Sequence, residues 1–89
     1  MAAELSPTDP LIAYNVAIIY NETGKTPEAI TWMEKTIRLK PDYRDAYLAL
    51  AAIFEQEKQP QKARETLELV LKLINPNDEE VKKRLELIK

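Results

Sequence analysis

The chain has 89 residues, of which 13 are Lys or Arg and 15 are Asp or Glu, so its net charge is −2. This length accommodates one small domain, and the charge balance gives no reason to expect the basic surface that nucleic-acid binding needs. The chain contains no cysteine and no histidine, which excludes disulfides, thiolate sites and the usual transition-metal ligands.

Residues 1–9 are predicted to form an N-terminal tail before the first helix. They lack the basic region and apolar core of a signal peptide. The longest apolar stretch, from Leu11 to Tyr20, is far shorter than the roughly 20 residues that a bilayer span requires, and Asn15 interrupts it. We therefore expect a cytoplasmic protein or a soluble domain of a larger protein, with no membrane segment in this chain.

Capping residues and prolines predict where the helices begin. At three points an N-cap residue precedes a proline at the first helical position, where the missing N–H of proline is not needed. These pairs are Asp9-Pro10, Thr26-Pro27 and Gln59-Pro60. Asn77 followed by Glu80 is a variant of the capping box, which predicts the start of a last helix.

Glycine and proline also predict where helices end. Gly24 occupies a position where a helix C-terminus favours a left-handed residue, and Pro41 and Pro76 follow helical segments that they prevent from continuing. The predicted helices are residues 10–23, 27–40, 43–58, 60–74 and 78–88. Because apolar residues recur at intervals of three and four and the linkers are short, we expect an all-α fold of antiparallel helices.

The chain repeats itself with a period of 34 residues, which is the separation between Ala29 and Ala63. Small residues match small ones and large residues match large ones at this offset. The further pairs are Val16 and Leu50, Ala17 and Ala51, Tyr20 and Phe54, Met33 and Leu67, Ile37 and Leu71, and Leu39 and Leu73. The repeating unit is therefore predicted to be a helix, a turn and a second helix.

This period and its residues resemble the tetratricopeptide repeat, whose pattern is W-x2-L-G-x2-Y, then A-x3-F, then P. The matching residues of the second repeat are Tyr47, Leu50, Ala51, Phe54, Ala63, Leu67 and Pro76. Those of the first repeat are Ala13, Val16, Ala17, Tyr20, Ala29, Met33 and Pro41. Two departures are Ala13, where the pattern has a large residue, and Pro76, which closes its repeat one place late.

The resemblance implies a right-handed α-solenoid of about five helices that binds protein or peptide. Its segments are the tail 1–9, repeat one 10–43, repeat two 44–77 and a C-terminal capping helix 78–89. The first helix of each repeat is expected to line a concave groove. The implied groove residues, called the groove set below, are Leu11, Tyr14, Ile18, Asn21 and Glu22 in repeat one, and Asp45, Leu48, Ala52, Glu55 and Gln56 in repeat two.

The two ends of the predicted array differ. The last helix has Val81, Leu85 and Ile88 on one side and charged residues on the others, which is typical of a cap. The first helix carries Ile12 and Ile19, called the end pair below, on a side that has no preceding repeat in this chain to cover it. Because exposing such residues is unusual, we predict self-association as a homodimer or homo-oligomer, or membership of a longer repeat array.

The sequence offers no candidate catalytic, cofactor-binding or metal-binding residue. The one serine, Ser6, lies in the tail, and no histidine or cysteine is available as base or nucleophile. The leading hypothesis is therefore a non-enzymatic protein–protein interaction scaffold that needs no cofactor. The alternatives are a homo-oligomerising structural module, and the C-terminal fragment of a larger protein such as a glycosyltransferase or a membrane protein.

Overall fold

A computed structural model describes residues 8–88, and these residues form five helices and no strand. The helices are α1 (Pro10–Glu22), α2 (Thr26–Leu39), α3 (Arg44–Gln56), α4 (Pro60–Leu73) and α5 (Glu79–Leu87). The predicted all-α fold of antiparallel helical repeats is confirmed. Residues 1–7 of the predicted tail and residue 89 of the predicted capping helix lie outside the described residues.

The helices belong to two compact units, of which the first ends at Pro41 and the second begins at Asp42. In the first unit α1 packs on α2. In the second unit α3 packs on α4, and α5 also packs on α4. Each unit therefore contains one hairpin of two helices, and the second unit carries the additional helix α5.

Alanines lie where the helices of a hairpin approach most closely. Ala17 in α1 and Ala29 in α2 are completely buried, and so are their equivalents Ala51 and Ala63 in the second unit. Larger residues at the matching positions fill the remaining space: Met33 and Leu67 are also completely buried. Close packing around a small side chain leaves no room for a larger one, so these alanines set the distance between the paired helices.

Two of the predicted N-caps are wrong by one residue. Thr26 is the first residue of α2 and Lys25 is its N-cap, because the carbonyl of Lys25 already accepts the N–H of Ala29 at 3.0 Å. Proline is tolerated at the second helical position as well as the first, since neither N–H has a partner within the helix. At the other end, Asp78 replaces Asn77 as the N-cap of α5 and accepts the N–H of Val81.

The C-termini of α1 and α3 have the same geometry, although their residues differ. Gly24 and Lys58 both have positive φ, at 82° and 59°. The residue that follows each one donates its N–H to the carbonyl five residues earlier: Lys25 to Tyr20 at 2.8 Å and Gln59 to Phe54 at 2.9 Å. This is the Schellman motif, in which glycine is favoured because a Cβ atom destabilises the left-handed conformation.

We therefore expect Lys58→Gly to raise the free energy of unfolding by about 1 kcal/mol, since the substitution removes the penalty of a non-glycine left-handed residue. The matched substitution, Gly24→Ala, should lower it by about the same amount. Apart from Gly24 and its two chain neighbours, no residue has an atom within 4 Å of a Cβ built on Gly24, so the effect would be conformational. Urea unfolding followed by circular dichroism measures both changes, and a destabilised Lys58→Gly variant would contradict the argument.

Candidate partner-binding surfaces

The groove residues of the first unit lie on the accessible side of α1. Leu11 and Glu22 are exposed, and Tyr14, Ile18 and Asn21 are half-buried. The buried side of the same helix is occupied by alanines, which let α1 approach α2 closely. This side of α1 therefore presents an aromatic ring and two aliphatic side chains at its N-terminal end and middle, with polar groups at its C-terminal end.

The groove residues of the second unit lie on α3 and are more polar. Asp45, Glu55 and Gln56 are exposed, and Leu48 and Ala52 are half-buried between them along the helix. None of the ten groove residues is buried, whereas six residues of α3 that do not belong to the groove set are buried. The two kinds of position alternate with the period of a helix, so one side of α3 faces the core and another is accessible.

Ion pairs connect α3 to α5. The Arg44 guanidinium donates to the Asp78 carboxylate through Nε at 2.6 Å and through Nη2 at 3.1 Å, and Nη2 also lies 2.8 Å from a Glu80 oxygen. At the other end of α3, Glu55 lies 3.6 Å from Arg84. The negative charge of Glu55, which belongs to the groove set, is therefore partly offset by a neighbouring guanidinium.

The hydrogen bonds from Arg44 hold the pKa of the Asp78 carboxyl below its ordinary value, and the N–H of Val81 acts in the same direction. Burial opposes this shift, because it disfavours the charged form. In return, the two carboxylates raise the pKa of Arg44. Asp78 therefore stays ionised, and it serves as an N-cap and an ion-pair partner at once.

The C-terminal end of α5 is held by a second arginine. Arg64 of α4 donates through Nη1 to the carbonyl oxygens of Leu85 and Ile88, at 3.1 and 3.0 Å. These carbonyls have no partner within the helix, and a positive charge there is also favoured by the helix dipole. The sequence analysis did not find either arginine as a contact residue. For Arg44 a signal existed, because Arg44 and Asp78 are separated by the repeat period of 34 residues.

Tyr47, the large first residue of the repeat pattern, lies on the buried side of α3. Only 1% of its surface is exposed, and burial raises the pKa of its hydroxyl, with a smaller contribution from the negative charge of Asp42. Its role is therefore in the core of the second unit, and it does not belong to the partner-binding side of the helix.

The end pair is exposed, as the sequence analysis predicted for a face without a preceding repeat. Ile12 is 50% exposed and Ile19 is 59% exposed. Their equivalents one repeat later, Ala46 and Ile53, are 0% and 2% exposed. From Pro10 to Asn21, α1 also contains no charged residue. A helix without charge on any side is normally covered by other protein.

A further apolar feature lies on α2. Trp32, the single tryptophan of the chain, is half-buried and forms one wall of an open cleft of about 270 Å³. The other walls are Pro27, Glu28 and Thr31. The Lys35 ammonium lies 5.6 Å from the centre of the indole ring, within the range of a cation–π contact.

Across residues 8–88, no cluster of three or more acidic side chains has the arrangement of a metal site. In the same part of the chain, no helix combines the length and the apolar character that crossing a membrane requires.

Comparison with protein families gives two matches, and both are to the tetratricopeptide repeat. One family model matches residues 12–43 and another matches residues 44–86. A search of curated proteins gave no significant match. The matches adjoin each other and together include nearly all of both helical hairpins and of α5. With five helices and alanine-lined hairpins in residues 8–88, and with these two adjoining matches, the chain belongs to the tetratricopeptide repeat family.

Proposed function

We propose that this protein is a non-catalytic scaffold that binds polypeptide segments through the accessible side of the first helix of each repeat, which is α1 in the first unit and α3 in the second. Tetratricopeptide repeats are generally protein–protein interaction modules. The observation that carries the proposal is the accessibility of the whole groove set beside a buried core on the same helices. If the chain is part of a larger enzyme or membrane protein, we expect the catalytic or membrane-spanning residues to lie outside residues 8–88.

The chemistry of the groove set indicates what kind of segment would bind. Leu11, Tyr14 and Ile18 offer apolar contacts, while Glu22 and Asp45 are exposed carboxylates. On α1, a partner segment with aliphatic side chains and a Lys or Arg residue would complement both features, and on α3 the Asp45 carboxylate would also favour a basic residue. Because the Glu55 carboxylate is shared with Arg84, we expect Glu22 and Asp45 to contribute more than Glu55 to any charge preference.

A displayed library of random peptides, selected against the full chain, tests this proposal. We expect the selected peptides to be enriched in aliphatic and basic residues. Their affinity should fall at least about tenfold in the variant Ala52→Arg, because a long cationic side chain on the groove side of α3 blocks the surface and repels a basic segment. Isothermal titration calorimetry with the selected peptides measures the loss.

The matched control is Gln61→Arg, which adds the same single positive charge at an exposed position of α4 outside the groove set. Binding to this variant should be unchanged within about twofold, as expected for a charge far from an interface. Peptides that lose affinity equally for both variants, or that lose it for neither, would show that the groove set is not the binding surface.

A second function, self-association, is favoured by the exposure of the end pair. Burial of the exposed halves of Leu11, Ile12 and Ile19 on two copies would contribute about 5–9 kcal/mol. Loss of translational and rotational freedom on association costs about 4–15 kcal/mol. The balance leaves at most about 5 kcal/mol in favour of association. We therefore propose a weak dimer, with a Kd of about 0.2 mM or above, in which the end pair is covered.

Sedimentation equilibrium over about a hundredfold range of concentration tests the dimer, since the fraction associated must rise with concentration. The double variant Ile12→Asp, Ile19→Asp should remain monomeric throughout with unchanged helicity, because it would place charges in an apolar contact. The control Leu73→Asp, Leu87→Asp adds the same charge at two other exposed aliphatic residues and should associate as the parent does. Equal association of all three proteins would contradict the proposal.

A further inference from the structure

We propose that α1 pairs with α1 of a second copy in antiparallel orientation about a twofold axis that passes beside Asn15. This proposal rests on the self-association proposed above and specifies its geometry. In the pair, Ile12 of each copy faces Ile19 of the other, and the two Asn15 side chains face each other at the centre.

The spacing of the exposed residues on α1 supports this arrangement. Ile12, Asn15 and Ile19 are all exposed, and their spacing of i, i+3 and i+7 places them in one stripe along the helix. This is the spacing of the contact positions in paired helices. The stripe has aliphatic residues at both ends and a polar residue near its midpoint, so it is complementary to itself when one copy is reversed.

Asn15 has a specific part in this geometry. An amide side chain carries both a donor and an acceptor, so two asparagines related by a twofold axis satisfy each other's hydrogen bonds. A single asparagine in an otherwise apolar contact is known to select one register among paired helices, because any other register buries the amide against aliphatic groups. The antiparallel orientation also places the N-terminus of each helix dipole beside the partner's C-terminus.

The chemistry of α5 argues for a second α1 as the occupant. The alternative is a contact between the end pair and α5 of another copy. The exposed residues of α5 are mostly charged, and they include Glu79, Glu80, Lys83 and Glu86. Burying these charges against isoleucine is unfavourable, whereas α1 against α1 buries no charged residue between Pro10 and Asn21.

Disulfide cross-linking between single cysteines tests the register, and the chain suits it because it contains no cysteine of its own. In the proposed pair, the two residues at position 15 are offset along the helix axis by about 1.5 Å. The two residues at position 12 are offset by about 10 Å, and so are those at position 19. A disulfide requires Cα atoms within about 7 Å of each other.

Under mild oxidation near 0.1 mM protein, we expect Asn15→Cys to form covalent dimers about tenfold faster than Lys83→Cys. Lys83 is exposed on α5, so Lys83→Cys measures the rate of random collision. Pairing of the α1 helices accelerates the reaction of Asn15→Cys because it raises the effective thiol concentration. Ile12→Cys and Ile19→Cys should each react at the control rate when alone. An equimolar mixture of the two should form the mixed dimer quickly.

Rapid self-cross-linking of Ile12→Cys and of Ile19→Cys would overturn the antiparallel register and would indicate parallel helices. If all variants react at the control rate while sedimentation shows a dimer, the contact lies elsewhere and the proposal fails. If sedimentation of the parent protein shows no dimer at any concentration, then the proposed self-association itself fails. The two failures are therefore distinguishable.

Discussion

Substitution of Leu67 by alanine is expected to lower the free energy of unfolding by about 2–5 kcal/mol. Leu67 is completely buried in α4, at the position of the repeat pattern where a large residue fills the space between the helices of the hairpin. Removing most of its side chain loses the burial of apolar surface and leaves a cavity that the surrounding helices close only in part. A domain of this size has about 5–10 kcal/mol of stability in total.

Leu69→Ala on the same helix is the matched control, because it makes the same chemical change at a leucine that is 38% exposed. Its effect should stay below about 1 kcal/mol, as is usual for accessible positions without a special role. Thermal unfolding followed by circular dichroism compares the two variants, and Leu67→Ala should lower Tm by about 10 °C or more. Similar losses in both variants would show that α4 is oriented differently from the structure described here.

Asp78→Ala is expected to lower the free energy of unfolding by about 2 kcal/mol. About half of this is the lost N-cap of α5. The remainder is the lost hydrogen-bonded ion pair with Arg44, which is discounted because the Arg44 side chain is 35% exposed. Asp78→Asn should lose only about 1 kcal/mol, since asparagine also caps helices well but carries no charge. Urea unfolding of the two variants and the parent separates the two contributions.

The contribution of the Asp78 charge should also depend on pH. The pKa of Asp78 is lowered in the folded protein, so the unfolded chain takes up the proton first as the pH falls. The stabilisation is therefore complete above the unfolded pKa of about 3.9 and is lost as the pH falls through the folded pKa. The stability difference between the parent and Asp78→Asn should shrink in that range, and a difference that grows on acidification would contradict the assignment.

Much of the fold could be predicted from sequence because its signals are local or periodic. The prolines and Gly24 marked the helix boundaries to within two residues, since backbone geometry restricts which residues occupy those positions. The alanines and large residues that recur after 34 positions predicted the two hairpins, because a repeated pattern of sizes requires a repeated packing. The exposure of Ile12 and Ile19 was also predicted, from the lack of a preceding repeat.

Other features depended on contacts between helices. Asn77 and Asp78 are both good N-cap residues, and in the folded protein Asp78 both caps α5 and accepts hydrogen bonds from Arg44. Lys58 has no intrinsic preference for positive φ, and it adopts this conformation at the equivalent of Gly24 in the turn between α3 and α4. The ion pair of Glu55 with Arg84 likewise exists only because α3 and α5 lie side by side.

Sequence alone thus determined the helices and their repeat, which follow from local backbone preferences and periodic residue size. The tertiary structure decided which charges are paired and which of two adjacent residues caps α5, because these depend on how distant helices pack.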